Sequence, residues 1–222
     1  MAVTVIVPTL NEEVRIGAAV DSAFAAGATE AIVADGGSRD ATVRVAREHG
    51  ARVIEGETMR ARQMNRGARE ASNDALLFLH ADTLLPRDAC ADVVQALGGG
   101  AVFGGFRIRF SEDSLRLRFA EEMINLRTRF TRCPWGDQAQ FISRSTFVDA
   151  GGFLEIPIME DYELALRMKR RGRTVILPQS VTTSGRRFLA RGLVRTTFTN
   201  WRIIIRWRMG ADPETLERMY RG

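Results

Sequence analysis

The sequence has little cysteine. Cys90 and Cys133 are the only two, and they form neither a CxxC pair nor a zinc pattern. Thiols used so sparsely read as unlinked and kept in a reducing compartment, which excludes a disulfide scaffold. No stretch approaches the ~20 apolar residues that would span a bilayer. The opening Met1-Ala2-Val3-Thr4-Val5-Ile6-Val7-Pro8 has no basic n-region and no long h-region, so it is expected to be a first core strand and not a signal peptide. These absences point to a cytoplasmic protein. Neither G-x-G-x-x-G nor G-x-x-x-x-G-K-[ST] fits anywhere, which disfavours a dinucleotide enzyme and a P-loop NTPase. No internal repeat or low-complexity segment is visible.

What is present is enough for one well-buried domain: 222 residues, 45% of them hydrophobic. The net charge of +5 hides an asymmetry. Residues 165–222 carry 14 Lys+Arg against 3 Asp+Glu, whereas residues 1–164 carry 18 against 24. A mildly acidic body with a strongly basic tail suggests phosphate groups or an anionic surface near the C-terminal end.

Strands and helices alternate through the first half. Val3–Val7 is a β-branched run closed by Pro8, and Asn11-Glu12-Glu13 opens a helix. Ala31–Ala34, Ala51–Glu55 and Leu76–Leu79 read as further strands, with helices over Thr42–His49 and Met59–Ala71 between them. Such alternation predicts an α/β fold with a mostly parallel sheet flanked by helices. Beyond Gly98-Gly99-Gly100 the pattern changes to a strand over Val102–Phe110, a long Arg-studded helix over Leu115–Phe130, and a short strand at Ala139–Ile142. A helix over Glu160–Arg171 and a strand at Thr174–Leu177, ended by Pro178, follow. Residues 188–209 look helical and mix Arg with Trp201, Trp207 and three isoleucines. One domain over residues 1–222 is expected. Its pattern divides at about residues 100 and 185, and residues 186–222 would form basic amphipathic C-terminal helices.

Ligands of open α/β sheets bind beyond the carboxyl ends of the strands. Asp82 ends an apolar strand, where a charge is costly unless paired or bound to a cation. Mg²⁺ takes one or two protein carboxylates and completes its shell with phosphates and water, so Asp82 alone suffices, and His80 either touches the metal or holds the loop. The plain alternative for Asp82 is a helix cap. Asp35, before two glycines, can bind a nucleobase or ribose, or simply close a turn. Glu160 and Asp161 at a helix start suit a base that takes a proton from a hydroxyl, or equally dipole-complementary capping. Arg60 and Arg62 could direct guanidinium groups at phosphates. Trp135 could stack on a sugar while Asp137 and Gln138, beside Gly136, read hydroxyls. Arg186 and Arg187 could neutralise a diphosphate leaving group. The tail could lie in a membrane interface, or pack on its own domain with its Arg stems snorkelling.

These pieces together resemble the family 2 glycosyltransferases of the GT-A fold. Pro8-Thr9-Leu10-Asn11-Glu12 looks like that family's opening P-x-x-N-E, and Asp35-Gly36-Gly37-Ser38-Arg39-Asp40-Ala41-Thr42 like its D-D-G-S-x-D-x-T. Leu79-His80-Ala81-Asp82 corresponds to its L-D-A-D, and Gly151-Gly152-Phe153 with Glu160-Asp161 to its G-G-F…E-D. The wording of Gly136-Asp137-Gln138, Pro157-Ile158-Met159-Glu160-Asp161 and Ser184-Gly185-Arg186-Arg187 is closer to a small bacterial subgroup associated with radical-SAM or selenium-domain genes.

The resemblance implies a GT-A-like fold with a Rossmann-like nucleotide-sugar-binding half over residues 1–100 and an acceptor and catalytic half over 101–185. It further implies a nucleoside bound by Pro8, Thr9, Asn11, Glu12 and Asp35 with Ala81 and Asp82 beside it, Mg²⁺ or Mn²⁺ at Asp82, and Asp161 as catalytic base with Glu160 in reserve. Expected partners are a UDP- or GDP-type sugar donor and an unidentified acceptor, not nucleic acid, with peripheral membrane contact through the tail. One departure is that His80 stands where the family has the first Asp of D-x-D. Two rivals stand beside this reading. A sugar-phosphate nucleotidyltransferase would open with a glycine-rich loop where this chain has Pro8-Thr9-Leu10-Asn11, and a non-catalytic nucleotide-binding or membrane-docking protein would show no turnover.

Overall fold

A computed structural model describes residues 1–221. The first half runs β1 (Val3–Thr9), α1 (Ile16–Ala25), β2 (Glu30–Asp35), α2 (Thr42–Glu48), β3 (Arg52–Glu55), α3 (Arg60–Glu70) and β4 (Ala75–Phe78). It continues through β5 (Thr83–Leu84), α4 (Ala89–Gly98), β6 (Phe103–Phe110) and α5 (Leu115–Thr131). A short 3₁₀ turn over Gly136–Gln138 leads to β7 (Phe141–Ser143), α6 (Arg144–Asp149), α7 (Glu160–Arg171) and β8 (Thr174–Thr183). The chain ends in α8 (Arg186–Arg191), α9 (Leu193–Arg208) and α10 (Pro213–Arg221).

The strands form one sheet in the order β3-β2-β1-β4-β7-β6-β8-β5. Its first four members are parallel. β7 runs antiparallel to both β4 and β6, β8 lies parallel to β6, and β5 lies antiparallel to β8. The strands of the first half are therefore parallel, and those of the second half are mixed. Successive strand residues face opposite sides, and β1 shows it. Val3, Val5 and Val7 enter a core shared with Ala19, Val20 and Phe106, whereas Ile6 enters a second core with Met64, Phe78, Phe147 and Leu164. Helices thus cover both faces of the sheet.

Two prolines behave differently from the sequence reading. β1 does not stop at Pro8 but runs to Thr9, because its pairing with β4 ends opposite Ile6 and the missing N–H falls beyond that ladder. Pro178 does not end the last strand either. The register of β8 against β6 jumps from Leu177 opposite Phe106 to Ser180 opposite Arg107, and this bulge takes up the proline. The C-terminal helices pack on the domain through Ile203, Ile204 and Leu216, which join the second core, and Arg208 donates to Tyr162 Oη at 2.9 Å. Among the described residues no helix is long and apolar enough to cross a membrane.

Candidate active site

The parallel strands deliver Thr9, Asp35 and the His80–Asp82 segment to one edge of the sheet. Asp35 is buried, and its Oδ2 accepts from the amides of Gly37 and Ser38, both at 2.8 Å. Gly37 takes φ 90°, a left-handed conformation that glycine adopts without strain. These bonds close the turn after β2, and Asp35 lies outside the lining of the cavity that holds Asp82 and Asp161. Beside it Gln63 donates to Thr9 O and Ala34 O, while the buried Thr9 Oγ1 has no partner. Asn11 stands at φ 54° with Oδ1 accepting from Arg39 N–H, and Ser38 Oγ accepts from Asn11 N–H.

An arginine from the far end of the chain joins this edge to the tail. Arg186 Nη2 lies 2.8 Å from Glu12 Oε1 and 3.2 Å from Asp82 Oδ2. Burial pushes the Asp82 carboxyl above its usual range, and Arg186 pulls it back. Asp82 shares a cavity of about 730 Å³ with His80, Arg60, Trp135, Asp137 and Asp161. Arg187 lines the same cavity with its guanidinium 3.4 Å over the Tyr220 ring. Burial, with Arg191 and Arg60 adding repulsion, pushes Arg187 down to about 10.

Asp161 opens α7, whose acidic first turn and basic last turn match the helix dipole. Its Oδ2 accepts from Gly136 N–H at 2.6 Å and its Oδ1 from Tyr162 N–H at 2.7 Å. Two backbone amides therefore fix the orientation of the carboxylate. His80 flanks it: a Cβ at Gly136 would meet His80 Nε2 at 2.8 Å and Asp161 Oδ2 at 2.9 Å. Burial, and then the charge of Arg60, push His80 down to about 4. Asp137 also faces the cavity, with a buried Oδ1 that has no partner, and burial raises its carboxyl to about 6.

Some sequence-stated candidates stand elsewhere. Glu160 is buried and bound to Arg60 Nε, and it does not line the cavity. Arg62 pairs with Glu57 and Glu155 at the surface and likewise stays outside it. Gln138 is fully buried. Its Nε2 donates to Phe106 O, its Oε1 accepts from Thr128 Oγ1, Arg127 and the Trp135 amide, and it does not line the cavity. Trp135 does line the cavity, but Arg127 lies 3.5 Å over one ring face, leaving only the other for stacking. Arg127 and Tyr162 themselves were not among the candidates. Nor was the outer face of α5, although the spacing of Phe119, Met123, Leu126 and Phe130 marks it as one stripe.

Whether a divalent ion fits can be judged from the donors. Among the described residues no group of three or more His, Cys, Asp or Glu side chains could hold one. Asp82 offers a single carboxylate, which is sufficient for Mg²⁺ when phosphates and water complete the shell. The site therefore fits an ion that arrives with a diphosphate, and Arg186 would have to yield Asp82 Oδ2 to it.

The sequence model of glycosyl transferase family 2 matches residues 4–154, more than half of the chain. This chain belongs to glycosyl transferase family 2. No curated protein matches it, but solved structures share its fold. S. aureus TarS is 15% identical with a TM-score of 0.67, over 83% of this chain and 37% of that one. The structure of TarS 1–349 in complex with UDP-GlcNAc gives 16% identity and a TM-score of 0.68, over 83% and 58%. The M. tuberculosis glucosyl-3-phosphoglycerate synthase in complex with Mn²⁺, UDP-glucose and phosphoglyceric acid gives 20% identity and a TM-score of 0.60, over 82% and 70%. The family 2 chain thus spans little more than a third of the TarS chain, and the GT-A architecture is what it shares.

Proposed function

We propose that this family 2 chain is an inverting glycosyltransferase that moves a sugar from a nucleoside diphosphate sugar to an acceptor hydroxyl. The observation that carries the reading is Asp161. It is a carboxylate pinned by two amides, in the cavity where Asp82, Arg60, Arg186 and Arg187 gather around a place for a diphosphate. Asp161 takes the acceptor's proton as the acceptor oxygen bonds to the anomeric carbon. The bond from that carbon to the phosphate oxygen breaks on the opposite face, and the nucleoside diphosphate leaves with the electron pair. Arg60, Arg186 and Arg187 place positive charge where the departing diphosphate gathers negative charge.

Asp82 would hold Mg²⁺ or Mn²⁺ together with the phosphates, and that ion when bound would supply further neutralisation of the leaving group. Thr9, with its unpartnered hydroxyl, stands at the nucleoside side with Pro8, Asn11, Glu12 and Asp35. The UDP-sugar and Mn²⁺ named with the two neighbours support a donor of this type. The Gly136-Asp137-Gln138 and Ser184–Arg187 wording supports the radical-SAM-associated subgroup.

A thermal-shift screen of UDP, GDP and their sugars, with and without Mn²⁺, tests the donor. A nucleotide at 100 times its Kd stabilises by about 2.7 kcal/mol, or roughly 5–10 °C for a chain of this size. The shift is expected with one nucleotide, to need Mn²⁺, and to vanish in Asp82→Ala. No shift with any nucleotide would overturn the reading.

A further inference from the structure

Helix α5 carries apolar side chains on both sides. Its buried side sets Leu117 and Ala120 in the first core and also holds Glu121, Asn125 and Thr128, each tied inward: Glu121 Oε1 accepts from Phe110 N–H, Asn125 pairs with the amide and carbonyl of Ile108, and Thr128 Oγ1 donates to Gln138. Its outer side carries Phe119, Met123, Leu126 and Phe130, with Phe119 63% and Phe130 77% exposed. A surface helix ordinarily turns polar residues to water, and a contiguous exposed apolar patch marks a binding surface. Across the groove α9 presents Trp201, itself 53% exposed, together with Ile203 and Ile204. These side chains are not a separate surface. They are the far wall of the same cavity of about 730 Å³ whose polar end holds Asp161, Asp137 and Asp82.

From this continuity we infer that the acceptor is an amphiphile: an alcohol whose hydroxyl sits at Asp161 and whose long hydrocarbon chain lies between α5 and α9. The inference rests on the transferase reading, since it is Asp161 that calls for a hydroxyl at one end. A cavity of this size suits a drug-sized ligand with a largely apolar body and few polar contacts. A free sugar or a polar peptide would leave the α5 stripe in water. A second copy or a membrane pressed on the stripe would cover it without using the carboxylate end of the cavity.

The test uses n-alkyl β-D-glucosides from methyl to dodecyl, below their micelle-forming concentrations. Binding is read by quenching of tryptophan fluorescence, because Trp135 and Trp201 both line the cavity. Each methylene that enters the groove should tighten binding about threefold to fourfold, giving at least a tenfold fall in apparent Kd from butyl to octyl. The double variant Phe119→Asp/Met123→Asp should flatten that dependence. Val148→Asp, at an exposed apolar position on α6 outside the cavity, should keep it. Should the double variant fail to melt cooperatively, Phe130→Ser serves in its place and should weaken dodecyl binding more than butyl.

Binding that ignores chain length, or a chain-length dependence that survives the stripe variants, would overturn the assignment. So would a chain-length-independent protein whose stripe variants abolish self-association or co-sedimentation with phosphatidylglycerol vesicles, since a copy or a membrane would then be the occupant. The nucleotide thermal shift of the unaltered chain is measured alongside. It can persist when the alkyl series fails, so loss of this inference and loss of the transferase reading are distinguishable.

Discussion

Replacing Arg60 by Met should strand a buried carboxylate. Glu160 is 1% exposed and its partner Arg60 is 39% exposed, so the variant removes the charge that the buried group depends on and keeps the aliphatic stem. Breaking a buried pair from one side costs about 3–5 kcal/mol. The partial exposure of Arg60 admits water to its side of the pair, which places the expected loss nearer about 2–4 kcal/mol. For a chain of this length that is a fall in Tm of roughly 4–16 °C at pH 7.5.

The pH dependence follows from the direction of the Glu160 shift. Burial already raises its carboxyl above the ordinary 4.5, with Arg60 as the main opposing influence, and removing Arg60 raises it further. A carboxyl raised in the folded state loses stability as it ionises. The deficit of Arg60→Met should therefore be complete above the raised folded pKa and should shrink as the pH falls toward 4.5. Arg60→Met/Glu160→Gln should recover more than half of the loss. The assay is thermal unfolding of the parent, both singles and the double across pH 4.5–8. A Tm within about 2 °C of the parent at pH 7.5, or a deficit that grows on acidification, would refute the reasoning.

Other consequences are as direct. Asp137, raised to about 6 from an ordinary 3.8 with an unpartnered buried oxygen, binds its proton more tightly folded than unfolded. Its ionisation therefore removes stability as the pH rises from 3.8 through about 6. Asp137→Asn should gain on the parent across that window, reaching about 1–3 kcal/mol at pH 7.5, and a gain that is constant with pH would contradict the assignment. Gly136→Ala puts a methyl within 3 Å of both His80 Nε2 and Asp161 Oδ2. Turnover should drop about 10²-fold because the base is displaced, while far-UV circular dichroism stays native. Unchanged kcat would mean that the Gly136–Asp161 contact does not position the carboxylate.

The parallel half of the sheet was legible because its signals are local. β-branched runs alternate with helices, and the ends moved by a residue or two except in α1, which starts at Ile16 after a turn instead of at Asn11–Glu13. Helix α7 was legible to both ends, since Glu160, Asp161 and Glu163 in its first turn and Lys169–Arg171 in its last announce it. The mixed half was less so. β5 has two residues, α6 has six, and β7 has three that pair only with distant partners, so none carries a periodicity of its own. Pro178 reads as a stop in isolation, and only the register against β6 turns it into a bulge. In the site, the motif residues Asp82, Asp137 and Asp161 do converge. Gln138 and Glu160 looked equally available, but each is consumed by a neighbour that sequence spacing does not reveal: Phe106 O, 32 positions away, for Gln138, and Arg60, 100 positions away, for Glu160. The α5 stripe was visible as spacing, but its role depends on α9 closing the cavity from the other side.

The measurement that tests the central claim most directly is single-turnover sugar transfer by Asp161→Asn, with donor affinity measured in parallel by calorimetry. The amide keeps the shape of the side chain and an oxygen for one of the two backbone amides, Gly136 or Tyr162, but it cannot take a proton. Donor Kd should stay within about threefold of the parent while the rate of transfer falls about 10²–10⁴-fold. Transfer at a near-parental rate with donor still bound would show that Asp161 is not the base.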